Sequence, residues 1–370
     1  MDSVQENRVV WDGFGLSNQY SGVARHALRL SQGLNKTGIS PVVFSSNKSS
    51  LTHLSHVFGR PSKLLRSPRS KLAWSRYISS QTFLKSHNHN HNHRLVYHGL
   101  SNFNIPLSKK LPFKRIVTIH DIIPLIAKGQ VSRSSTLQLL YLLPKVLQVA
   151  DRVICVSKWS RETLVEAYPD VADKVLVIPN GFVDEFLSSG GHTGYKLSDG
   201  TINALAVMRY EPYKRFDRLI DILDRMNNRF SLALVTDLQG GNWIKANGQR
   251  HLNSGRLQLG IGLSDKDLSA LFRRSDFLLH TSEYEGFCLP AAQALAAIKP
   301  VVYKAGSGID EVVGPAGLGL GDSIDEWIEA ISSGLDNISE ATIIQHISKQ
   351  KPWSSVAIDL KQLYNKVSEE

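Results

Sequence analysis

Short apolar runs alternate with longer amphipathic ones along almost the whole chain, and the alternation stops once and restarts. A short run that is apolar throughout cannot turn one face to water. It fits a strand buried on both sides, and amphipathic helices between such runs supply the cover of a parallel sheet. The first series places strands at about 8–11, 41–45, 94–97, 115–119, 152–156 and 174–178, with helices over 22–35, 135–150 and 158–167. In the first helix Val23, Ala27, Leu30 and Leu34 share one face. The segment 185–200, with Gly190-Gly191 and Ser198-Asp199-Gly200, reads as a linker. The second series places strands at about 203–208, 230–235, 256–259, 276–280 and 300–303, with helices over 216–227, 265–274 and 290–297. The expected fold class is therefore α/β, with two Rossmann-like doubly wound parallel-sheet domains, 1–184 and 201–350, facing a central cleft. A length of 370 residues suits two domains of ordinary size.

Charge is unevenly placed. Residues 1–185 hold 24 Lys or Arg against 11 Asp or Glu, and no acid occurs between Asp12 and Asp121. The densest stretch, 60–115, carries 12 of those cations, a field that favours an anionic partner. A membrane surface, a lipid-linked phosphate or an acidic glycan all fit; no nucleic-acid motif is present, and no such partner is expected. A solvated basic face is the plainer alternative. The N-terminal residues lack the basic and apolar parts of a signal peptide, and no apolar run reaches the roughly 18–20 residues a spanning helix needs. With two distant cysteines, Cys155 and Cys288, and no Cys-x-x-Cys pair, the reading is a cytoplasmic protein with two buried thiols. The tract His87-Asn88-His89-Asn90-His91-Asn92-His93 reads as a solvated loop insertion rather than a metal site.

Four stretches carry candidate chemistry. Ser282 to Ala294 follows a strand and opens a helix near Pro290, so Glu285 would sit in a tight turn before a helix N-terminus, where backbone N–H groups can hold anions or sugar oxygens. Met208 to Asp217 places Arg209, Lys214 and Arg215 between a strand and a helix, a setting that suits a diphosphate. In the first strand–helix turn Gly22 would let backbone approach a ligand closely. His120-Asp121 ends a strand on the ligand-facing edge. Read singly, each also fits an ordinary turn or a structural residue. No Asp-x-Asp pair stands where it could chelate a metal against phosphates, and no phosphate-binding loop of the Gly-x-x-x-x-Gly-Lys-Ser/Thr type occurs.

Taken in order, these elements resemble the family 4 retaining glycosyltransferases, which have the two-domain B-type fold. The matching residues are Ser21-Gly22-Val23-Ala24-Arg25, His120-Asp121, Val156-Ser157, Pro179-Asn180-Gly181, Arg209 with Lys214, Phe216 and Asp217, Glu285-Gly286-Phe287-Cys288-Leu289-Pro290 with Gln293, Gly308 to Gly314, and Pro352-Trp353-Ser354. The resemblance implies a hexose, mannose-like by preference, moved from a GDP- or UDP-sugar to a glycan or lipid-linked acceptor in surface polysaccharide or glycan assembly. It also implies a terminal helix, 351–370, crossing back to the first domain. Arg209 and Lys214 would hold the diphosphate, Glu285 and His120 would contact the donor sugar, the backbone of Phe287, Cys288 and Leu289 would bind sugar or phosphate oxygens, Gln293 would meet the ribose, and Gly22 would admit the donor phosphates or acceptor.

Three positions depart from the family pattern: Gln293 stands where a Glu is usual, and Cys288 and Arg215 where Gly is usual. The expected enzyme needs no cofactor and no metal, because two fixed cations can stabilise the leaving diphosphate. The competing readings are a non-catalytic sugar- or polyanion-binding protein on the same scaffold and a B-type enzyme of phosphorylase chemistry.

Overall fold

The computed structural model describes residues 9–13, 21–39, 41–45, 65–66, 95–109, 113–182, 201–335 and 337–370. The histidine tract 87–93, residues 14–20 of the first turn, the linker 185–200 and most of the basic stretch 60–115 lie outside these residues.

The chain divides into two compact units. Unit 1 comprises residues 1–125, 133–181 and 351–370; unit 2 comprises 126–132 and 182–350. Unit 1 holds strands β1 (Val9–Asp12), β2 (Val42–Ser45), β3 (Leu65–Arg66), β4 (Val96–Gly99), β5 (Lys114–Ile119), β6 (Arg152–Cys155) and β7 (Val175–Val177), in the spatial order β3-β2-β1-β4-β5-β6-β7. Unit 2 holds β8 (Ile202–Val207), β9 (Phe230–Thr236), β10 (Leu257–Ile261), β11 (Phe277–His280), β12 (Val301–Lys304) and β13 (Gly317–Leu320), ordered β10-β9-β8-β11-β12-β13. Every described strand pair is parallel. The central strands β1, β4 and β11 are buried at every position, which is why they show no polar–apolar alternation; their polar residues Asp12, His98 and His280 fall at or next to the carboxyl ends.

In unit 1, helix α1 (Gly22–Lys36) buries Ala24, His26, Ala27, Leu30 and Leu34. Ser21 caps it, its Oγ accepting from the Ala24 N–H at 3.1 Å. The C-terminal helix, α2 (Trp353–Glu369), packs against α1 at Gly33, where a Cβ would stand 2.7 Å from Ala357 Cβ. Its Tyr364 enters the core. Trp11 Nε1 donates to the Tyr364 hydroxyl at 2.8 Å, and that hydroxyl lies 2.6 Å from His98 Nδ1. The indole can only donate, so the phenol proton goes to Nδ1, and His98 Nε2 donates to Thr118 Oγ1 at 2.8 Å.

Arg115, one of the cations counted toward an anionic partner, is buried, with its guanidinium on the carbonyls of Pro106 and Phe113 at 3.1 and 3.0 Å. It serves the fold and does not face a partner. Both cysteines are buried free thiols. Among the described residues no helix is long and apolar enough to cross a membrane.

Candidate active site

The strand order of unit 2 reverses between β8 and β11. Chain leaving the carboxyl ends of two strands at such a point turns to opposite faces of the sheet and leaves a crevice. The segment after β8 is Met208 to Asp217 and the segment after β11 is Thr281 to Cys288, so the topology brings together two of the stretches singled out in the sequence. They are stitched by short bonds: Thr281 Oγ1 donates to the carbonyls of Lys214 and Arg215 at 2.9 and 3.1 Å, and the Glu283 N–H donates to the Tyr213 carbonyl at 2.9 Å.

At the centre Lys214 Nζ lies 2.5 Å from Glu285 Oε1, with side chains 14% and 12% exposed. His280, the last residue of β11, donates from Nε2 to the same oxygen at 2.6 Å. His280 Nδ1 is buried and has no hydrogen-bond partner among the described residues. Burial alone would push the Glu285 carboxyl up, but the Lys214 ammonium, followed by His280, outweighs it and brings the pKa down to about 2. Burial works against the Lys214 ammonium too, and Glu285 more than offsets it, so the lysine stands above its usual range. Both groups are charged at neutral pH. Arg209 is exposed and has no ion-pair partner among the described residues, which leaves it available to an anion.

The other arginine of the segment has a different task. Arg215 Nη1 binds Glu283 Oε1 at 2.6 Å and its Nε reaches Asp217 at 2.9 Å; buried Arg218 meets Glu283 and Asp322 at 3.4 and 3.3 Å. Arg215 is also left-handed, with φ 55°, and so is Cys288, with φ 71°. These are the two positions where the family pattern has Gly. Glycine adopts such backbone freely, whereas a side chain costs about 1–2 kcal/mol there. Both side chains therefore sit on strained backbone. Cys288 precedes helix α3 (Leu289–Ala296), and its Sγ lies 3.5 Å from His280 Nε2. Burial first, then the Glu285 carboxylate, push this thiol well above its usual range and keep it protonated.

The Glu285 turn is braced from a third segment. Its N–H donates to Ser307 Oγ at 3.1 Å, and its carbonyl accepts from the Gly308 N–H at 2.9 Å. Asp310 Oδ2 in turn accepts from the N–H groups of Gly306 and Ser307. Phe287 is buried, its ring edge-on to Phe182 at 6.1 Å. Leu289 starts α3, where N–H groups have no partner within the helix. Gln293 lies one turn further on, half-buried, and its side chain bonds to no described residue. An open groove of about 500 Å³ runs along this region, lined in part by Tyr210, Trp243, Arg215, Glu283 and Tyr284.

His280, Glu285 and Cys288 have ligand atoms within 4.8 Å of one another, and the Lys214 ammonium stands on the Glu285 carboxylate.

In unit 1 the sequence motifs converge on a residue that sequence reasoning missed, His26 of α1. Its Nδ1 lies 2.6 Å from Asn180 Oδ1, and its ring is edge-on to His120 at 5.0 Å and to Trp353 at 5.7 Å. Gly181 lets Trp353 approach, since a Cβ there would stand 2.6 Å from its Cα. His120 Nε2 donates to the Leu100 carbonyl at 2.9 Å, and its own carbonyl accepts from Ser160 Oγ at 2.8 Å. Burial lowers His26 and His120 below the usual histidine range and brings His98 down to about 3, so all three rings are neutral. Gly22 is the first residue of α1. His26 was legible only as a buried-face position one turn after Gly22. His280 was legible only as a polar residue closing an apolar strand.

Comparison with known proteins gives the same outline. The model for Glycosyltransferase Family 4 matches residues 20–186, and that for Glycosyl transferases group 1 matches residues 194–348. An uncharacterised glycosyltransferase of Methanocaldococcus jannaschii is 24% identical over 274 residues, 71% of each chain. An MMP alpha-(1→4)-mannosyltransferase of Mycolicibacterium hassiacum is 32% identical over 114 residues, 28% of each chain. Among solved structures, HepE of Anabaena in complex with UDP and glucose has a TM-score of 0.74 at 16% identity, over 97% of this chain and 99% of that one.

Proposed function

The chain belongs to the family 4 glycosyltransferases, of the B-type fold, and we propose that it is a retaining, metal-independent hexosyltransferase that uses a GDP- or UDP-sugar. The observation that carries this reading is the corner where Lys214 and Glu285 meet at the β8/β11 switch, with exposed Arg209 on the same segment. Breaking the sugar–phosphate bond builds negative charge on the departing diphosphate. Arg209 and Lys214 would stabilise that charge without reorganising, which is the work a metal does in other transferases. Glu285, held ionised, would accept hydrogen bonds from donor-sugar hydroxyls and, through Lys214, fix the cation's position. The backbone of Phe287, Cys288 and Leu289 would hold sugar or phosphate oxygens, and His120, a neutral ring, would contact the sugar. The acceptor hydroxyl would attack the face the diphosphate leaves and pass its proton to a phosphate oxygen, retaining the anomeric configuration.

A mannose-like sugar is favoured, in keeping with the mannosyltransferase among the relatives. UDP in the complex of the Anabaena protein keeps the uridine donors in the comparison. The acceptor would be a glycan or lipid-linked sugar in surface polysaccharide or glycan assembly. The basic stretch 60–115 would favour an anionic membrane, reached from the cytoplasmic side.

Thermal unfolding with a panel of GDP- and UDP-hexoses tests the donor, since a ligand that binds only the native state raises its stability. One donor should stabilise the protein and be turned over with its anomeric configuration kept. Binding without any turnover or hydrolysis would favour the non-catalytic alternative, and an inverted product would overturn the retaining assignment.

A further inference from the structure

We propose that His280, Glu285 and Cys288 form an inhibitory site for a borderline-soft divalent cation, with Zn²⁺ the best match. The three donors are an imidazole nitrogen, a carboxylate oxygen and a thiol sulfur, the mixed set that Zn²⁺ takes in proteins. All their ligand atoms lie within 4.8 Å of one another. Zn–S and Zn–N or Zn–O bonds at a tetrahedral angle ask for about 3.3–3.6 Å between ligand atoms. The separation of Cys288 Sγ and His280 Nε2 is 3.5 Å, already in that range. His280 Nε2 and Glu285 Oε1, hydrogen-bonded at 2.6 Å, need to open by less than an ångström, and that bond is given up to the metal.

The backbone makes the set rigid. His280 ends β11, and Cys288 is held in left-handed geometry at the start of α3, so neither Cα can drift far. Glu285 is fixed by the Ser307 and Gly308 bonds to its backbone. Binding requires that the thiol release its proton to solvent and that the Lys214 ammonium leave Glu285. The second requirement is what makes the metal an inhibitor. The cation proposed to hold the diphosphate loses its anchor, and a fourth, non-protein metal position fills the corner.

The inhibition rests on the donor reading given above; the metal site itself does not. Co²⁺ and Zn²⁺ titrated into the full chain separate the two. Co²⁺ should give a near-ultraviolet thiolate-to-metal band that Zn²⁺ abolishes by displacement. Cys288→Ser keeps the shape and removes the soft ligand, and Cys288→Gly fits the left-handed backbone; both should lose the band, while Cys155→Ala should keep it. Zn²⁺ should slow donor turnover by the wild type and leave the residual turnover of Cys288→Ser unaffected, and a chelator should restore the wild type. A band that persists in Cys288→Ser, or no band in the wild type, would overturn the site. Equal Zn²⁺ inhibition of wild type and Cys288→Ser would overturn its inhibitory role. A Cys288-dependent band in a protein that turns over no donor would uphold the site and count against the donor reading instead.

Discussion

Gly308 sits so close to Gly286 that a Cβ on it would stand 2.2 Å from the Gly286 carbonyl oxygen. The same residue donates its N–H to the Glu285 carbonyl at 2.9 Å. Glycine is needed here for close approach, because backbone cannot yield as the end of a flexible side chain can. Gly308→Ala must move the Glu285 turn or the segment that braces it. Overpacking of this kind costs about 1–3 kcal/mol. The expected outcome is a lower unfolding temperature together with a larger loss in kcat than in nucleoside diphosphate affinity. Unchanged kcat would show that the position of Glu285 does not matter to turnover.

Lys214 and Arg209 should separate in a way sequence alone does not suggest. Lys214→Ala leaves the Glu285 carboxylate buried without its cation, and breaking a buried pair from one side costs about 3–5 kcal/mol. The value here falls toward the lower end because both side chains keep some exposure, 14% and 12%. Arg209 is exposed, so Arg209→Ala should change stability by less than about 0.5 kcal/mol. Turnover should fall in both, by about 10²–10³-fold if each stabilises the developing diphosphate. Denaturant unfolding beside steady-state kinetics reads this. Full turnover in Arg209→Ala would remove it from the diphosphate site.

The buried histidines of unit 1 set an acid limit. His26, His98 and His120 have pKa values lowered in the folded state, His98 to about 3, while an unfolded histidine titrates near 6.5. Below about pH 6.5 the unfolded chain takes protons that the folded chain refuses. Stability is therefore fully present above that pH and falls as pH is lowered, by about 1.4 kcal/mol per unit for each ring. Glu285 adds its own loss only lower, between the usual carboxylate range and about pH 2. Urea unfolding between pH 7.5 and 5 should show the decline, and His98→Gln should flatten it by one histidine's share. An unchanged slope in that variant would mean that His98 is not held neutral.

These histidines mark where the sequence stops being legible. The strands could be read because burial on both faces removes most polar residues from them, as in Phe277 to Leu279 of β11. Strand β13, Gly-Leu-Gly-Leu, could not: it lies at the sheet edge, half exposed, and Gly317 is required by the Val301 carbonyl, 2.3 Å from where its Cβ would be. The helix Leu238–Asn247 was hidden by Gly240 and Gly241, although Asp237 caps it. At Gly240 a Cβ would stand 2.2 Å from Thr236 Oγ1, so packing overrides helix propensity. Within the site, Lys214 and Glu285 were readable from their turns. Their partners His280 and Ser307 were not, because only the strand order makes them neighbours.

Gln293 lies on α3, half-buried, with no side-chain bond to a described residue, so a ligand would meet an unengaged amide. If that ligand is the ribose, the amide oxygen can accept from one hydroxyl while the NH₂ group donates to a second oxygen. A carboxylate would accept from both hydroxyls with charge assistance, and such bonds are about twice as strong as neutral ones. Gln293→Glu should then tighten nucleoside diphosphate binding by about 1 kcal/mol. The opposing effect is repulsion from the Glu285 carboxylate and the diphosphate. Lys214 already neutralises Glu285 at 2.5 Å, which offsets the Glu285 share of that repulsion. The gain should therefore win, and it should grow as salt rises, because salt screens the repulsion from the diphosphate more than it weakens the direct bonds to the ribose. Calorimetric titration of UDP and GDP into wild type, Gln293→Glu and Gln293→Ala reads both the sign and the base preference. Equal affinity in wild type and Gln293→Ala would place the ribose elsewhere and withdraw this residue from the donor site.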